Sequence, residues 1–280
     1  MPDIICDLCF HHCVLKENGT GFCHVRRNEN GRNVLISHGR ITSLALDPIE
    51  KKPLAMYYPG SRILSVGSYG CNLACPFCQN HEISLDENAG YYSRVLSPED
   101  LAELALETED NLGVAFTYNE PLISWEYILD TAALIRPKGK KTVLVSNGCA
   151  EEKIIRKIQP YIDAANIDLK GDRAFYRELS GSYDQAKRTI ELLSRSAHVE
   201  ITILVIPGKN DRKEWIEEES RWIASLNPEI PLHLTRYFPR YRYTIPETPP
   251  ETILELKKTA GQYLRHVFAG NMHAFYRRRK

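Results

Sequence analysis

The chain has 280 residues, and its 36 Lys and Arg residues balance its 36 Asp and Glu residues, so the formal net charge is zero. This balance gives no overall field to draw the protein to nucleic acid or to an anionic membrane, so we expect neither as a partner. No apolar run reaches the roughly 18 residues that a membrane-spanning helix requires. The first residues also lack the basic start and apolar centre of a secretion signal, so the sequence predicts a cytoplasmic protein.

Residues 4–31 are rich in Cys, Gly, His and Asn and show no sustained hydrophobic period, which indicates a small appendage held together by metal. Two apolar stretches follow at 34–38 and 41–46, and the Gly-Arg pair between them favours a β-hairpin. We therefore assign residues 1–60 to a Cys-rich segment with a hairpin.

From residue 61 onward, apolar strand patterns alternate with helical patterns. Six strands are expected, at 63–66, 114–117, 142–145, 165–169, 199–206 and 232–238. The first long helix is expected to begin after Ser97 as N-cap, with Pro98 at the first helical position. Six βα units predict a parallel sheet with outer helices but are too few for a closed eight-unit barrel. The sequence thus predicts an α/β fold, with a partial (β/α)6 TIM-like barrel at 61–240 and a C-terminal helix and tail at 241–280.

Seven of the eight cysteines fall into two groups, which favours metal binding over disulfides in a cytoplasmic chain. Cys71, Cys75 and Cys78 form a C-x3-C-x2-C triplet directly after the first expected strand. Three thiolates can hold a four-iron cluster and leave one iron open to an outside ligand. Structural zinc is the alternative, since His81 could supply a fourth ligand.

The second group is a set of four thiols near the amino terminus. Its members are Cys6, Cys9, Cys13 and Cys23. Four thiolates suit a closed structural zinc site as well as a second iron–sulfur cluster, and the sequence leaves both open, together with redox-active free thiols. Cys149 stands apart from both groups and is expected to be a buried or idle thiol.

Polar residues follow the expected strands at their carboxyl ends, where parallel α/β folds bind ligands. They are Asn119, Glu120, Ser146, Asn147, Asp168, Lys170, the segment from Ile206 to Asp211, and Arg236. Each has a simpler explanation on its own: a helix-capping acid, a common Asn-Gly turn, a surface ion pair. Together they are expected to line one mouth of the barrel beside the cysteine triplet.

Two motifs resemble the radical S-adenosylmethionine (SAM) superfamily over roughly residues 61–240. They are the cysteine triplet with Phe77 before its last Cys, and the Tyr-Asn-Glu-Pro segment at 118–121 in the place of the GGEP element. The segments 47–54 (DPIEKKPL), 59–61 and 70–80, with the four amino-terminal cysteines, narrow the resemblance to the AmmeMemoRadiSam-system enzymes. These are relatives of the pyruvate formate-lyase activating enzymes.

The resemblance implies an enzyme in which the triplet holds a [4Fe–4S] cluster. The cluster would reductively cleave SAM to methionine and a 5′-deoxyadenosyl radical that abstracts hydrogen from a substrate. An electron donor such as flavodoxin or ferredoxin is implied as a partner. The implied SAM contacts are Glu120 and Asn119 at the methionine ammonium, Ser146 and Asn147 at the ribose, Phe77 and the backbone near Ile206 at the adenine, and Lys170, retained beside Asp168, or Arg236 at the carboxylate.

Two positions depart from the pattern of the relatives. Val145 occupies the place where glycyl-radical activating enzymes usually carry Asp, and no cysteine follows the Gly-Asn pair at 270–271. A glycyl-radical activase therefore stays an alternative function, and a non-catalytic zinc or iron–sulfur partner protein is a second alternative. The sequence does not specify the substrate.

Overall fold

The computed structural model describes residues 2–272, and the basic tail at 277–280 lies outside the described residues. In chain order the strands are β1 (Ile4–Ile5), β2 (Val14–Leu15), β3 (Arg26–Glu29), β4 (Arg32–Leu35), β5 (Arg40–Ile41), β6 (Ser43–Pro48), β7 (Arg62–Gly67), β8 (Arg94–Val95), β9 (Asn111–Phe116), β10 (Lys141–Ser146), β11 (Ala164–Asp168), β12 (His198–Val205), β13 (Leu232–Arg236) and β14 (Val267–Gly270). The α-helices are α1 (His81–Ser84), α2 (Pro98–Glu107), α3 (Trp125–Ile135), α4 (Glu152–Ile158), α5 (Arg173–Glu178), α6 (Tyr183–Leu193), α7 (Lys213–Leu226) and α8 (Pro250–Ala260).

One eight-stranded sheet organises the molecule, in the order β14-β13-β12-β11-β10-β9-β7-β6. All neighbouring pairs are parallel except β6 with β7, which is antiparallel. The six predicted strands are all present, so the predicted partial barrel is confirmed. Two strands from outside residues 61–240 extend the same sheet: β6 lies at one edge, and β14, which the sequence analysis did not predict, lies at the other.

The predicted hairpin at 34–46 is wrong. Instead β3 pairs with β4 through a turn at Asn30 and Gly31, both with positive φ, while β5 pairs with β8 and β6 pairs with β7. Asn-Gly is the strongest short hairpin signal because both central residues of a type I′ turn require positive φ. The Gly-Arg pair at 39–40 instead leads the chain into the edge of the large sheet.

The segment 47–54 forms the floor of the barrel. Its Ile49 and Leu54 are fully buried against the inward-facing side chains of four parallel strands, which are Ile63, Ala115, Val143 and Ala164. The outward faces of the same strands pack against the helices, so inward and outward side chains alternate along each strand. This floor closes the amino-terminal end of the barrel and leaves the carboxyl ends of the strands for ligands.

Glu200 on β12 fastens the chain just after the floor. Its carboxylate accepts hydrogen bonds from the backbone N–H groups of Ala55 (2.9 Å) and Met56 (2.8 Å) and from the rings of His198 and His233. Burial alone would raise the pKa of Glu200, but these donors lower it to about 2. The carboxylate therefore stays charged inside the barrel.

We expect Glu200→Gln to lower the free energy of unfolding by about 2–4 kcal/mol, because the amide NH2 must face one of the two backbone donors. Glu103→Gln on the exposed face of α2 is the control and should change it by less than about 0.5 kcal/mol. Because the pKa of Glu200 is lowered from its usual 4.5, the charged carboxylate contributes fully to the free energy of unfolding above pH 4.5. This contribution is lost as the pH falls toward 2. Denaturant unfolding at pH 7 and pH 3 measures both effects, and equal midpoints for the two variants would contradict this role.

Candidate active site

The cysteine loop follows β7 and is held by its own backbone turns and by its neighbours. Cys78 N donates to Cys75 O (3.2 Å), Gly70 N donates to Ile83 O (2.9 Å), and the thiol of Cys71 accepts from Leu73 N (3.4 Å). The three cysteines are free, and Cys75 is buried. Burial raises the pKa of the Cys75 thiol to about 12, while the Lys170 ammonium opposes that shift. A metal centre is what would convert such buried thiols to thiolates.

Gly70 brings the loop into direct contact with the amino-terminal segment. Its φ is +83°, and a Cβ placed on it would lie 2.4 Å from the carbonyl oxygen of Cys23 and 2.8 Å from a methyl of Val25. Only glycine, which has no side chain, fits both this backbone conformation and this space. The two groups of cysteines are therefore packed against each other at this residue.

Glu120, at the end of β9, joins two strand ends. Its buried carboxylate accepts from Ser146 Oγ (2.7 Å), Asn147 N (2.8 Å) and Leu122 N (2.9 Å). Burial raises the pKa of Glu120 to about 7, although these hydrogen bonds oppose the shift. The structure thus brings together three of the residues predicted to contact SAM.

Asn119 holds the approach to the cysteine loop. Its side-chain oxygen accepts from Ser68 N (3.0 Å), and its NH2 donates to the carbonyls of Tyr69 (3.0 Å) and Gly70 (3.1 Å). The amide is therefore fully used in positioning the loop. The methionine-ammonium contact that the resemblance implies for it stays a prediction.

Asn147 and Asn72 link the end of β10 to the loop. The NH2 of Asn147 donates to Asn72 Oδ1 (3.0 Å) and approaches Cys71 Sγ at 3.7 Å. Asn72 is fully buried, and its own NH2 donates to Cys149 O (2.6 Å). Asn72 could not be recognised from the sequence, because an Asn beside a cysteine carries no signal of its contacts.

The Lys170 ammonium lies at the end of β11, 2.6 Å from the carboxylate of Asp168. Burial works to lower the pKa of Lys170, but Asp168 and then Cys75 raise it above its usual range, so the ammonium keeps its charge. This cation opposes the rise in the pKa of both the Cys75 and the Cys78 thiols that burial causes.

The other predicted contacts are more dispersed. Ile206 N donates to Asn210 Oδ1 (2.7 Å), and the Arg236 guanidinium donates to Thr248 O (2.9 Å) and Glu247 (3.1 Å). These bonds tie Arg236 to the segment before α8. Of the two residues predicted for the SAM carboxylate, the geometry therefore favours Lys170.

Phe77 packs against two aromatic rings, with its centroid 6.0 Å from that of Phe175 and 5.6 Å from that of Tyr243. A cavity of about 290 Å3 lies beside the loop. It is lined by Phe22, His24, Cys71, Leu73, Ala74, Leu85, Tyr241 and Arg242. The cysteine loop thus adjoins both a packed aromatic cluster and a cavity.

Tyr118 connects the site to the barrel floor. It has φ +71°, its hydroxyl donates to Asp47 Oδ2 (2.7 Å), and the buried ammonium of Lys52 lies 4.5 Å from its ring centroid. Positive φ in a tyrosine is strained backbone of the kind that concentrates at functional sites. The DPIEKKPL segment carries both Asp47 and Lys52, so this motif builds the floor directly beneath the site.

In residues 2–272, no group of three or more His, Cys, Asp or Glu side chains is arranged to hold a single metal ion. Within the same residues, none of the helices has the length and apolar character required to cross a membrane.

Comparison with known proteins decides the family. The profile of the Radical SAM superfamily matches residues 65–218. The chain belongs to the radical SAM superfamily. An uncharacterized protein of Methanocaldococcus jannaschii is 34% identical over 272 residues, which cover 95% of this chain and 81% of that protein.

Two further similarities concern activating enzymes. A putative glycyl-radical enzyme activating enzyme of M. jannaschii is 23% identical over 225 residues, covering 75% of this chain and 89% of that protein. A domain of a pyruvate-formate lyase-activating enzyme from Bacteroides vulgatus has a TM-score of 0.50 at 20% identity, and the alignment covers 57% of this chain and 99% of that domain. The structural likeness shows a shared fold.

Membership of the superfamily confirms several predictions. The protein is a radical SAM enzyme whose cofactors are a [4Fe–4S] cluster and SAM, and it takes electrons from a reductant. The alternative of a non-catalytic metal-binding partner protein is therefore wrong. The polar residues at several strand ends had already argued against it, since a scaffold does not require them.

Gly70 gives a direct test of how the loop is positioned. We expect Gly70→Ala to destabilise the protein by about 3 kcal/mol or more and to reduce its iron content, because the Cβ collides with Cys23 O. Gly60→Ala is the matched control: Gly60 has φ +80° but no atom within 4 Å of an added Cβ, so it should cost only about 1–2 kcal/mol. Thermal unfolding and iron analysis after anaerobic reconstitution distinguish the two, and equal effects would show that the contact is unimportant.

Proposed function

We propose that Cys71, Cys75 and Cys78 bind the [4Fe–4S] cluster and that SAM lies between this loop and the ends of β9, β10 and β11. The observation that carries this proposal is the convergence of Glu120, Asn147 and Lys170 on the cysteine loop. When bound, the cluster and SAM supply a 5′-deoxyadenosyl radical that abstracts hydrogen from the substrate.

The donor set fits the group. Three thiols from one loop leave one iron of a four-iron cluster without a protein ligand. The amino and carboxylate groups of the SAM methionine can bind that iron. Glu120 would face the methionine ammonium, and a cation there would favour its charged form. Ser146 and Asn147 would contact the ribose, Phe77 and the backbone near Ile206 the adenine, and Lys170 the carboxylate. Asp168 would hold Lys170 in place.

The substrate would lie inside the barrel, between the cysteine loop and the floor. This is supported by two inward-facing polar atoms, Asn166 Oδ1 and Thr202 Oγ1, which are buried and have no hydrogen-bond partner among the described residues. The NH2 of Asn166 donates to Pro53 O (2.8 Å), which fixes its oxygen as the free acceptor. A substrate with an N–H or O–H group suits this position.

Residues 61–240 would form the catalytic core, with 1–60 as the segment that supplies β6 and the floor and 241–280 as the C-terminal segment, whose part up to residue 272 supplies β14. A cytoplasmic location and a low-potential donor of the flavodoxin or ferredoxin type complete the proposal, since reductive cleavage consumes one electron for each SAM.

The central test is the formation of 5′-deoxyadenosine from SAM by anaerobically reconstituted protein with dithionite. We expect Cys75→Ala to reduce product by about 100-fold or more, because the cluster loses one of three ligands. Cys149→Ala is the matched control, since Cys149 is a buried thiol outside both groups, and it should retain most of the product. Product from Cys75→Ala at the wild-type level would refute the cluster assignment.

Thr202 tests whether the buried hydroxyl without a partner has a structural role. We expect Thr202→Val to leave the free energy of unfolding within about 0.5 kcal/mol of wild type or to raise it, because it removes a buried hydroxyl without a partner. Thr189→Val is the contrast: Thr189 Oγ1 donates to Gly148 O (2.7 Å), so its loss should cost about 1–2 kcal/mol. Equal losses in thermal unfolding would mean that the Thr202 hydroxyl has a structural role.

Activation of a glycyl-radical enzyme is the second candidate. The similarity to a putative glycyl-radical enzyme activating enzyme favours it, and Val145 argues mildly against it. Incubation with a protein partner that carries a glycyl-radical motif should then give an EPR doublet. Consumption of a small molecule without that signal would decide against this candidate.

A further inference from the structure

The four amino-terminal cysteines gather in one small core of their own. Cys6, Cys9 and Cys23 are each less than a tenth exposed, and Cys13 packs at the edge of the same core. All four are free thiols, although they come from separate turns of the chain. Four free thiols in one core are an unusual arrangement unless they share a ligand.

Nitrogen donors make hydrogen bonds to two of the four sulfurs. Phe22 N donates to Cys13 Sγ (3.4 Å), and Asn33 Nδ2 donates to Cys6 Sγ (3.3 Å). Burial raises the pKa of the Cys9 and Cys23 thiols, and the N–H groups near them, that of His11 for Cys9 and those of Val25 and Arg26 for Cys23, oppose that shift. N–H groups aimed at sulfur stabilise thiolates, and the thiolate is the form that binds metal.

The backbone turns sharply beside these cysteines. His12, which precedes Cys13, and His24, which follows Cys23, have φ of 42° and 62°. Gly21 lies so close that a Cβ on it would be 3.3 Å from Cys13 Sγ. The chain therefore curls tightly around the sulfurs.

This core touches the cysteine loop of the active site at two points. Gly70 packs on the carbonyl of Cys23, and Asn72, which lies near Cys9, accepts a hydrogen bond from Asn147, which in turn reaches Cys71. His11 Nε2 lies 3.0 Å from Asn72 O as a further contact. Two side chains, those of Asn72 and Asn147, thus lie between Cys9 and Cys71.

We propose that Cys6, Cys9, Cys13 and Cys23 bind a second iron–sulfur cluster, which passes electrons to the cluster on Cys71, Cys75 and Cys78. Delivery of the electron to the first cluster rests on the proposed function, whereas the existence of the second cluster does not depend on it. An all-thiolate set suits zinc equally well, but a structural zinc site has no need to adjoin a centre that consumes electrons, whereas a relay must.

The electron balance of the relay is simple. A low-potential one-electron donor is oxidised by one electron, and the second cluster is reduced by one. The second cluster then returns to its starting state as the first cluster gains that electron, which is the electron that SAM cleavage consumes. Cys13, partly exposed at the edge of the core, gives this route an entrance from the protein surface.

Metal analysis of a variant without the first cluster is the direct test. We expect the Cys71→Ala/Cys75→Ala/Cys78→Ala variant, reconstituted anaerobically, to keep about four iron and four sulfide per chain, against about eight of each in wild type. Its reduced EPR signal should not respond to SAM. About one zinc without iron, or no metal at all, would overturn the proposal.

Two controls separate this result from failure of the proposed function. Cys149→Ala should keep the wild-type iron content, since Cys149 belongs to neither group. Cys6→Ala/Cys23→Ala should keep about four iron and an EPR signal that SAM alters, because only the second cluster is lost. If the first cluster fails to cleave SAM, the iron counts of the variants still decide whether a second cluster exists.

The relay has a separate readout in the same Cys6→Ala/Cys23→Ala variant. With reduced flavodoxin as the electron source, we expect deoxyadenosine formation to slow by about ten-fold or more, and with dithionite, which can reduce the first cluster directly, by less than about two-fold. Equal rates with flavodoxin in the variant and wild type would overturn the relay.

Discussion

The active site depends on hydrogen bonds that hold the cysteine loop from outside. The loop has little regular structure of its own, and its approach is fixed by Asn119, whose amide makes three bonds to the backbone at 68–70. Asn147 secures the other side through Asn72. Because these two residues sit at the ends of β9 and β10, the geometry of the sheet is transmitted directly to the three thiols.

Glu120 provides the second constraint, since it connects the same two strand ends through a buried carboxylate. Three donors compensate for its burial, yet its pKa remains raised to about 7. A buried carboxyl group in this condition is suited to receive a cation, because a positive ligand group stabilises the charged form that burial disfavours. The strain of Tyr118 just before it, and the bond from Tyr118 to Asp47, connect this position to the floor.

The floor and the amino-terminal core place supporting structure on two sides of the loop. Below it, two buried charges have partners: Lys52 is paired with Asp47, and Glu200 accepts four hydrogen bonds, which makes the lower barrel polar yet rigid. Beside it, the four-cysteine core is packed so closely that only glycine fits at position 70. The segments outside the (β/α)6 core are therefore parts of the site's framework rather than independent additions.

The sequence predicted those features whose signals are local. The six parallel strands were visible as short apolar runs, Ser97 was visible as a helix cap, and its Oγ does accept from Asp100 N. The spacing of the cysteines and the polar residues after each strand predicted the mouth of the barrel. The hairpin was predicted at the wrong place, because the Asn30-Gly31 pair, and not the Gly-Arg pair at 39–40, forms the turn. Strand β14 was not predicted, because its four residues acquire strand structure by pairing with β13.

By itself, the sequence determined the type of chemistry, because ligand residues and their spacing are properties of a short stretch of chain. Only the tertiary structure decided which polar residues reach the loop: Lys170 lies beside it, whereas Arg236 is bound to the segment before α8. It alone also brought Cys9 and Cys23 against residues 70–72. These contacts join residues that are tens of positions apart, so they follow from the packing of the whole sheet and have no local pattern in the sequence.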